Sequence, residues 1–232
     1  MRTLTRAALA ASIAACAGIE AHAGRPLVTE DAPVQADGEC AVESYVARYR
    51  ADAAAPVRAL STQLGCGIGA RTQLSIAGAR ALSDEGHADA LTLAGKTSLT
   101  GTRADAAEWS LAYGAVALRA TGFETQMDQL YATLAATVPL TAGLSTHLNL
   151  GWTGAHEPRC STTRWAFALD QALRDDVHLV AEAFADDRNH RPWLQAGASA
   201  ALGRQASLNA SYGRKAQGGG ASALTLGVTV GF

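Results

Sequence analysis

Six charged side chains, three acidic and three basic, interrupt otherwise apolar stretches of the sequence. Charges of both signs can line a wet passage and select among solutes, or they can pair with one another and hold a protein wall together. The sequence leaves both readings open. Neither needs a bound group, so no cofactor is expected. The six residues are Glu43, Arg71, Lys96, Arg164, Asp170 and Glu182.

Chemistry of another kind would be expected from Ser145, His147 and Asn149, which alternate along one stretch. A barrel phospholipase uses a serine, a histidine and an asparagine, and its histidine activates the serine as nucleophile. That set must face the lipid substrate. The alternation of polar and apolar residues instead puts these three side chains on the inward face, away from the lipid. No catalytic residue is therefore predicted, and a lipid-modifying enzyme stays a weak alternative.

Cys40 and Cys66 form a candidate disulfide. If the first two strands make a hairpin centred near residue 53, the two cysteines lie directly opposite each other, within reach of a bridge. A register shift of two residues would instead leave two separate thiols. Cys160 would be the odd thiol, and together with His156 it offers too few ligands to predict a metal site.

The elements that must position these residues are extended segments with period-two alternation. Twelve segments of about ten residues can be traced, the length of a tilted membrane-spanning β-strand. One face of each carries Leu, Val and aromatic residues, and the other carries the charged and amide residues. They are predicted at 39–50, 56–66, 69–80, 88–100, 106–118, 127–138, 143–153, 162–173, 176–186, 192–202, 205–213 and 222–232.

The last of these segments has the clearest pattern. Leu224, Leu226, Val228 and Val230 occupy every second position and Phe232 ends the chain. An aromatic final residue after alternating apolar positions resembles the last strand of bacterial outer-membrane β-barrels, where the assembly machinery reads that pattern. Phe232 is accordingly predicted to be an assembly signal.

Together these features predict an all-β fold, a transmembrane antiparallel β-barrel of twelve strands. A soluble β-sandwich also alternates, but its strands would need a second apolar set to form a core. An even strand number brings both termini to the periplasmic side. No uninterrupted apolar run after the N-terminal region is long enough for a transmembrane helix.

The N-terminus has the features of an export signal. Arg2 and Arg6 precede an apolar stretch, and Ala21-His22-Ala23 is a small-residue cleavage site. A lipoprotein signal ending at Cys16 is the alternative. The predicted divisions are a signal peptide at 1–23, a periplasmic tail at 24–37 and the barrel at 38–232. The formal net charge of −2 argues against a nucleic-acid partner.

Short motifs occur at residues 25–32, 39–49, 180–184, 194–197 and 224–232. Together they resemble a family of outer-membrane transporters of the MetA-pathway (phenol degradation) type. The resemblance implies a barrel that moves small, often aromatic, molecules, and it carries no catalytic residues.

We therefore expect a pore or transporter for small solutes, located in the cell outer membrane. The expected partners are outer-membrane lipids, the barrel assembly machinery and a small-molecule solute. A structural or adhesive barrel without transport is the main alternative, and the solute itself stays open.

Overall fold

The computed structural model describes residues 27–51, 55–101, 106–155, 160–188, 191–216 and 220–232. The predicted signal peptide and cleavage site fall outside these ranges, as does His156. Within them the chain forms twelve β-strands, and no helix there is long and apolar enough to cross a membrane. The strands are β1 (Cys40–Arg50), β2 (Val57–Gly67), β3 (Thr72–Ser83), β4 (Gly86–Ser98), β5 (Glu108–Ala120), β6 (Gln126–Thr141), β7 (Leu144–Ala155), β8 (Cys160–Arg174), β9 (Val177–Asp186), β10 (Trp193–Leu202), β11 (Ala206–Lys215) and β12 (Ser222–Gly231).

The sheet closes on itself. Each strand pairs antiparallel with its neighbours in sequence, and β1 pairs with β12 from Ala41↔Gly231 to Arg50↔Ser222. Beyond the ladder, Cys40 and Phe232 exchange two backbone hydrogen bonds of 2.9 Å each. A closed sheet has no edge strand, which satisfies the backbone polar groups without water. The predicted twelve-stranded antiparallel barrel is confirmed.

Alternation gives the wall two chemically different faces. The outward face is covered by aliphatic side chains such as Leu60, 54% exposed, and Leu150, 60% exposed. The inward face carries buried polar groups, among them Gln63, Thr133 and Asn209. Because a strand turns successive side chains to opposite faces, one sequence period produces both surfaces.

The barrel has two distinguishable ends. We call the end that holds Cys40 and Phe232 the terminal end, and the opposite one the loop end. At the terminal end, hairpins such as Thr141 to Leu144 and Leu202 to Ala206 are tight. Most connections at the loop end are longer, such as that between Lys215 and Ser222, whereas the terminal end has one long connection, between Ser98 and Glu108.

Two departures from simple alternation change which residues face inward. β3 begins at Thr72, later than predicted, because Gly69, Ala70 and Arg71 have φ angles of 86°, 50° and 58° and form a turn. The pairing of β5 with β6 shifts register between Val116 and Ala117. This bulge leaves Asp128 out of the ladder, and its side chain is buried.

Candidate functional site: the barrel interior

The interior of the terminal half holds the chain's own N-terminal residues. We call residues 27–37, which precede β1, the lumen segment. Leu27, 5% exposed, forms a buried apolar cluster with Ala168 and Val180 on the wall. This placement differs from the periplasmic tail expected from the sequence. The segment has no strand of its own, so its backbone groups must find partners on the wall.

Glu182 on β9 holds the deepest part of the lumen segment. Its carboxylate accepts hydrogen bonds from the backbone N–H of Val28 at 3.0 Å and of Thr29 at 2.9 Å. The Thr29 hydroxyl donates a third, at 2.6 Å. Glu182 is only 4% exposed. A buried carboxylate needs hydrogen-bond donors in place of water, and the lumen segment supplies three, so Glu182 acts as an anchor for the segment.

Lys96 on β4 provides a second anchor, of opposite charge. Its Nζ lies 3.0 Å from Glu30 Oε1 and 3.1 Å from Asp31 Oδ1, and it also donates to the Asp31 carbonyl at 3.3 Å. Lys96 is 6% exposed and Glu30 is 7% exposed. Charges removed from water in this way are tolerated only when paired, so Lys96 and the acidic pair depend on one another.

Three neutral wall side chains complete the attachment. Asn149 accepts from the Glu30 N–H at 2.6 Å and donates to the Glu30 carbonyl at 2.8 Å, as a strand neighbour would. Thr137 Oγ1 accepts from the Ala32 N–H at 2.9 Å. Gln73 accepts from the Gln35 N–H at 2.9 Å. The wall therefore satisfies the segment with side chains from β3, β4, β6, β7 and β9.

Thr137 also contacts the first member of a chain of three wall side chains, His147, Asp170 and His178. His147 Nδ1 lies 2.9 Å from Thr137 Oγ1, and His147 Nε2 lies 3.8 Å from Asp170 Oδ2. His178 Nδ1 contacts the other oxygen of Asp170 at 2.9 Å. His147 is thus engaged with the wall, and Asn149 with the lumen segment.

The loop half of the interior has a different lining. Phe184 and Trp193 are cross-strand partners whose rings stack in parallel, with centroids 6.2 Å apart. Arg164 and Asp186 are paired on the adjoining strands β8 and β9 and lie on the same inward face. Apolar rings beside opposite charges can hold a small solute that has both an apolar body and a polar group.

The structure separates the six predicted lumen residues. Lys96, Glu182 and Asp170 lie in the terminal half, where the first two bind the lumen segment directly. Glu43 is on the inner wall between Gln63 and Thr229, and Arg164 is on the inner wall nearer the loop end. Arg71 is different. It lies exposed in the turn before β3 instead of on the lumen wall, because its positive φ takes it out of the strand.

Sequence reasoning missed the partners of these residues. Glu30 and Asp31 were assigned to the tail, and Gln73 and Thr137 had no signal beyond inward parity. Two consecutive acidic residues just before the first strand, with an inward lysine on a wall strand, were the available hint.

Cys40 and Cys66 lie at the terminal end on the outward side of the wall. They are direct cross-strand partners with a Cα–Cα distance of 4.1 Å, and a disulfide joins them. Because Cys40 also bonds Phe232, the bridge ties the closing seam between β1 and β12 to β2. Among the described residues, no group of three or more His, Cys, Asp and Glu side chains could hold a metal ion.

Solved structures with a similar fold include several outer-membrane channels. The COG4313 outer membrane channel from Pseudomonas putida F1 superposes with a TM-score of 0.63 at 11% identity, over 89% of this chain and 100% of that one. The KdgM porin gives 0.60 at 10% identity, over 82% and 99%. The CymD monoaromatic hydrocarbon channel gives 0.50 at 9% identity, over 85% and 88%. At these identities the likeness establishes the fold.

No curated protein matches the chain. Among protein families, the match is to one described as Uncharacterised conserved protein UCP029691, whose model covers residues 10–232. That range takes in the lumen segment, all twelve strands and the final Phe232. The chain therefore belongs to the family Uncharacterised conserved protein UCP029691.

Proposed function

We propose that this protein is an outer-membrane channel for small solutes whose periplasmic half is closed by its own lumen segment. The observation that carries the proposal is the attachment of residues 28–35 to five inward side chains from five strands. A wall that needed only rigidity could pair its charges with one another. Here Lys96 and Glu182 instead use their charges on a separate piece of chain.

The proposal places the terminal end in the periplasm and the loop end outside the cell. Four of the five connections at the terminal end have two to four residues, with Ser98 to Glu108 as the exception, and five of the six at the loop end have four to six. Short turns inside and longer connections outside are the usual arrangement in bacterial barrels. Export through the predicted signal peptide and insertion through the assembly machinery, with Phe232 as its signal, belong to the same proposal. Pulse-labelled cells should show Phe232→Ser protein accumulating in the periplasm.

The proposed solutes are small and aromatic. The stacked Phe184 and Trp193, with Arg164 and Asp186 close by, would accept a ring that carries a polar substituent. The motif resemblance to transporters of the MetA-pathway type and the monoaromatic hydrocarbon channel among the structural neighbours favour the same class.

Conductance in planar bilayers tests the channel. A variant lacking residues 27–36 should give larger and more frequent openings than the full chain. Its fold is checked by the shift in electrophoretic mobility on heating that folded barrels show. The matched control is Asp89→Asn, which removes an outward-facing carboxylate and should leave conductance unchanged.

A crosslinked variant tests closure from the other direction. Thr29→Cys with Glu182→Cys, in a Cys160→Ser background, puts two thiols at the site of a 2.6 Å contact, where a short thiol-specific crosslinker with reducible ends can join them. The crosslinked protein should stay closed, and mild reduction should open it. If both the deletion variant and the reduced variant are silent, the channel is refuted and a structural or adhesive barrel is favoured.

A further inference from the structure

The outer surface near the loop end carries a cluster of arginines above the apolar belt. Arg48 on β1 and Arg58 on β2 are direct cross-strand partners, and both are exposed. Arg50 and Arg214 lie one rung further toward the loop end, on either side of Ser222. We call these four residues the arginine cluster. By alternation all four share the outward face with Val46, Leu60 and Tyr212.

In the described part of the chain, the arginine cluster has no counter-charge of its own. Arg80, one rung below, is held by Asp89 through two hydrogen bonds of 2.6 and 2.9 Å. Among the described residues, no carboxylate forms an ion pair with any member of the arginine cluster. Like charges directly opposite each other on a sheet are destabilising. Arg48 and Arg58 therefore form a pair that an external anion would relieve.

The position of the arginine cluster along the barrel axis indicates which anion it would bind. Tyr212, 54% exposed, stands on the same rung as Arg48, with Leu224 between them. Exposed aromatic residues mark the lipid–water interface of a barrel. One rung below lie Val46, Leu60 and Leu226, all exposed and aliphatic. A ligand at this position would have its anionic head between the guanidinium groups and its chains on the aliphatic wall.

We propose that the arginine cluster binds the phosphorylated head group of the outer-leaflet glycolipid, the lipid A part of lipopolysaccharide. Arginine donates paired hydrogen bonds to phosphate oxygens and suits this role better than lysine. The cluster spans β11, β12, β1 and β2, so a bound head group crosses the seam where the barrel closes. The assignment rests on the proposed orientation, with the loop end outside.

Lipid binding tests the proposal without reference to conductance. Folded protein in phosphatidylcholine nanodiscs is titrated with diphosphoryl lipid A, and binding is followed by native mass spectrometry and by the temperature of unfolding. Wild type should bind with a defined stoichiometry and unfold at a higher temperature. Arg48→Gln with Arg58→Gln should weaken binding by about tenfold or more, since each loses hydrogen bonds to a charged group. Arg48→Lys with Arg58→Lys should fall between.

Arg174→Gln is the matched control, because Arg174 is an exposed arginine at the terminal end, paired with Asp176 at 3.4 Å. It should bind lipid A like wild type. Equal binding by wild type and the Arg48/Arg58 variant would overturn the proposal. Phosphatidylglycerol binding as tightly as lipid A, with the same arginine dependence, would overturn the assignment to the glycolipid. Inorganic phosphate alone should have no effect on the unfolding temperature, because it lacks the chains.

Discussion

The two halves of the barrel interior use the same wall differently. In the terminal half, charged and amide side chains bind a piece of the protein's own backbone, and the resulting network is buried. In the loop half, the described wall carries a stacked aromatic pair and the neighbouring Arg164 and Asp186. One strand, β9, shows both characters within three positions, at Glu182 and Phe184. The comparison teaches that the residues that bind the lumen segment and the stacked aromatic pair lie at different depths of one wall.

The largest effect on this comparison is expected from Lys96→Met. The change leaves Glu30 and Asp31 buried without their ammonium partner, which costs about 3–5 kcal/mol for a buried pair. The lumen segment should leave the wall, and single-channel conductance should rise. Arg80→Gln is the control, because its pair with Asp89 lies on the outer surface, where an exposed ion pair contributes little to stability. An unchanged conductance in Lys96→Met would contradict the idea that the lumen segment closes the terminal half of the barrel.

Loss of the disulfide should act on the wall without acting on the lumen segment. Replacing Cys40 and Cys66 by serine removes a link between positions 26 residues apart, and we expect a loss of about 2–4 kcal/mol in the free energy of unfolding. Urea unfolding in detergent micelles measures it. Cys160→Ser should leave the free energy of unfolding unchanged. A large loss in that variant would contradict the assignment of the effect to the disulfide.

Gly67→Ala should displace the lumen segment sterically. A Cβ at Gly67 would collide with the Ala36 carbonyl oxygen, where the segment passes the end of β2. We expect a cost of about 1–3 kcal/mol, typical of overpacking, and faster proteolysis within residues 27–36. Gly78→Ala on β3 is the matched control, because nothing lies within 4 Å of its added Cβ. Identical proteolysis rates for the two variants would contradict the close approach.

The smallest effect concerns the loop half. Trp193→Ala removes the stack with Phe184, which contributes about 0.5–1.5 kcal/mol beyond buried area. Liposome swelling should show slower entry of small aromatic solutes and unchanged entry of small sugars. Trp152→Ala, an outward-facing tryptophan, should alter neither rate. A sugar-specific change in Trp193→Ala would refute aromatic selection.

The fold could be predicted because alternation is a local property. In a strand with Leu and Val at every second position, such as Leu224 to Val230, the alternation alone identifies the two faces, and no information on neighbouring strands is needed. The pairing of Cys40 with Cys66 could be predicted for a related reason, since the position of a hairpin's turn determines which residues of its two strands lie opposite each other. Strand ends were less accessible, as the positive φ of Ala70 and Arg71 shows.

The interior could be predicted only in part. Inward parity identified Lys96 and Glu182 but not their partners, because the lumen segment has no periodic pattern and its place depends on contacts with residues 38 to 154 positions away in sequence. A polar stretch before the first strand has the same composition whether it hangs in water or folds back. Whether the stretch lies in solvent or inside the barrel depends on the folded wall, which must present hydrogen-bonding side chains at matching positions.

The lumen segment joins β1 through Gly38, whose φ of 80° makes the chain reverse direction there. If residues 27–36 swung out about this glycine, they would extend roughly 33–36 Å from the rim, at the reach of a fully stretched chain. The opened channel would then present a flexible tether carrying Glu30 and Asp31 to the periplasm.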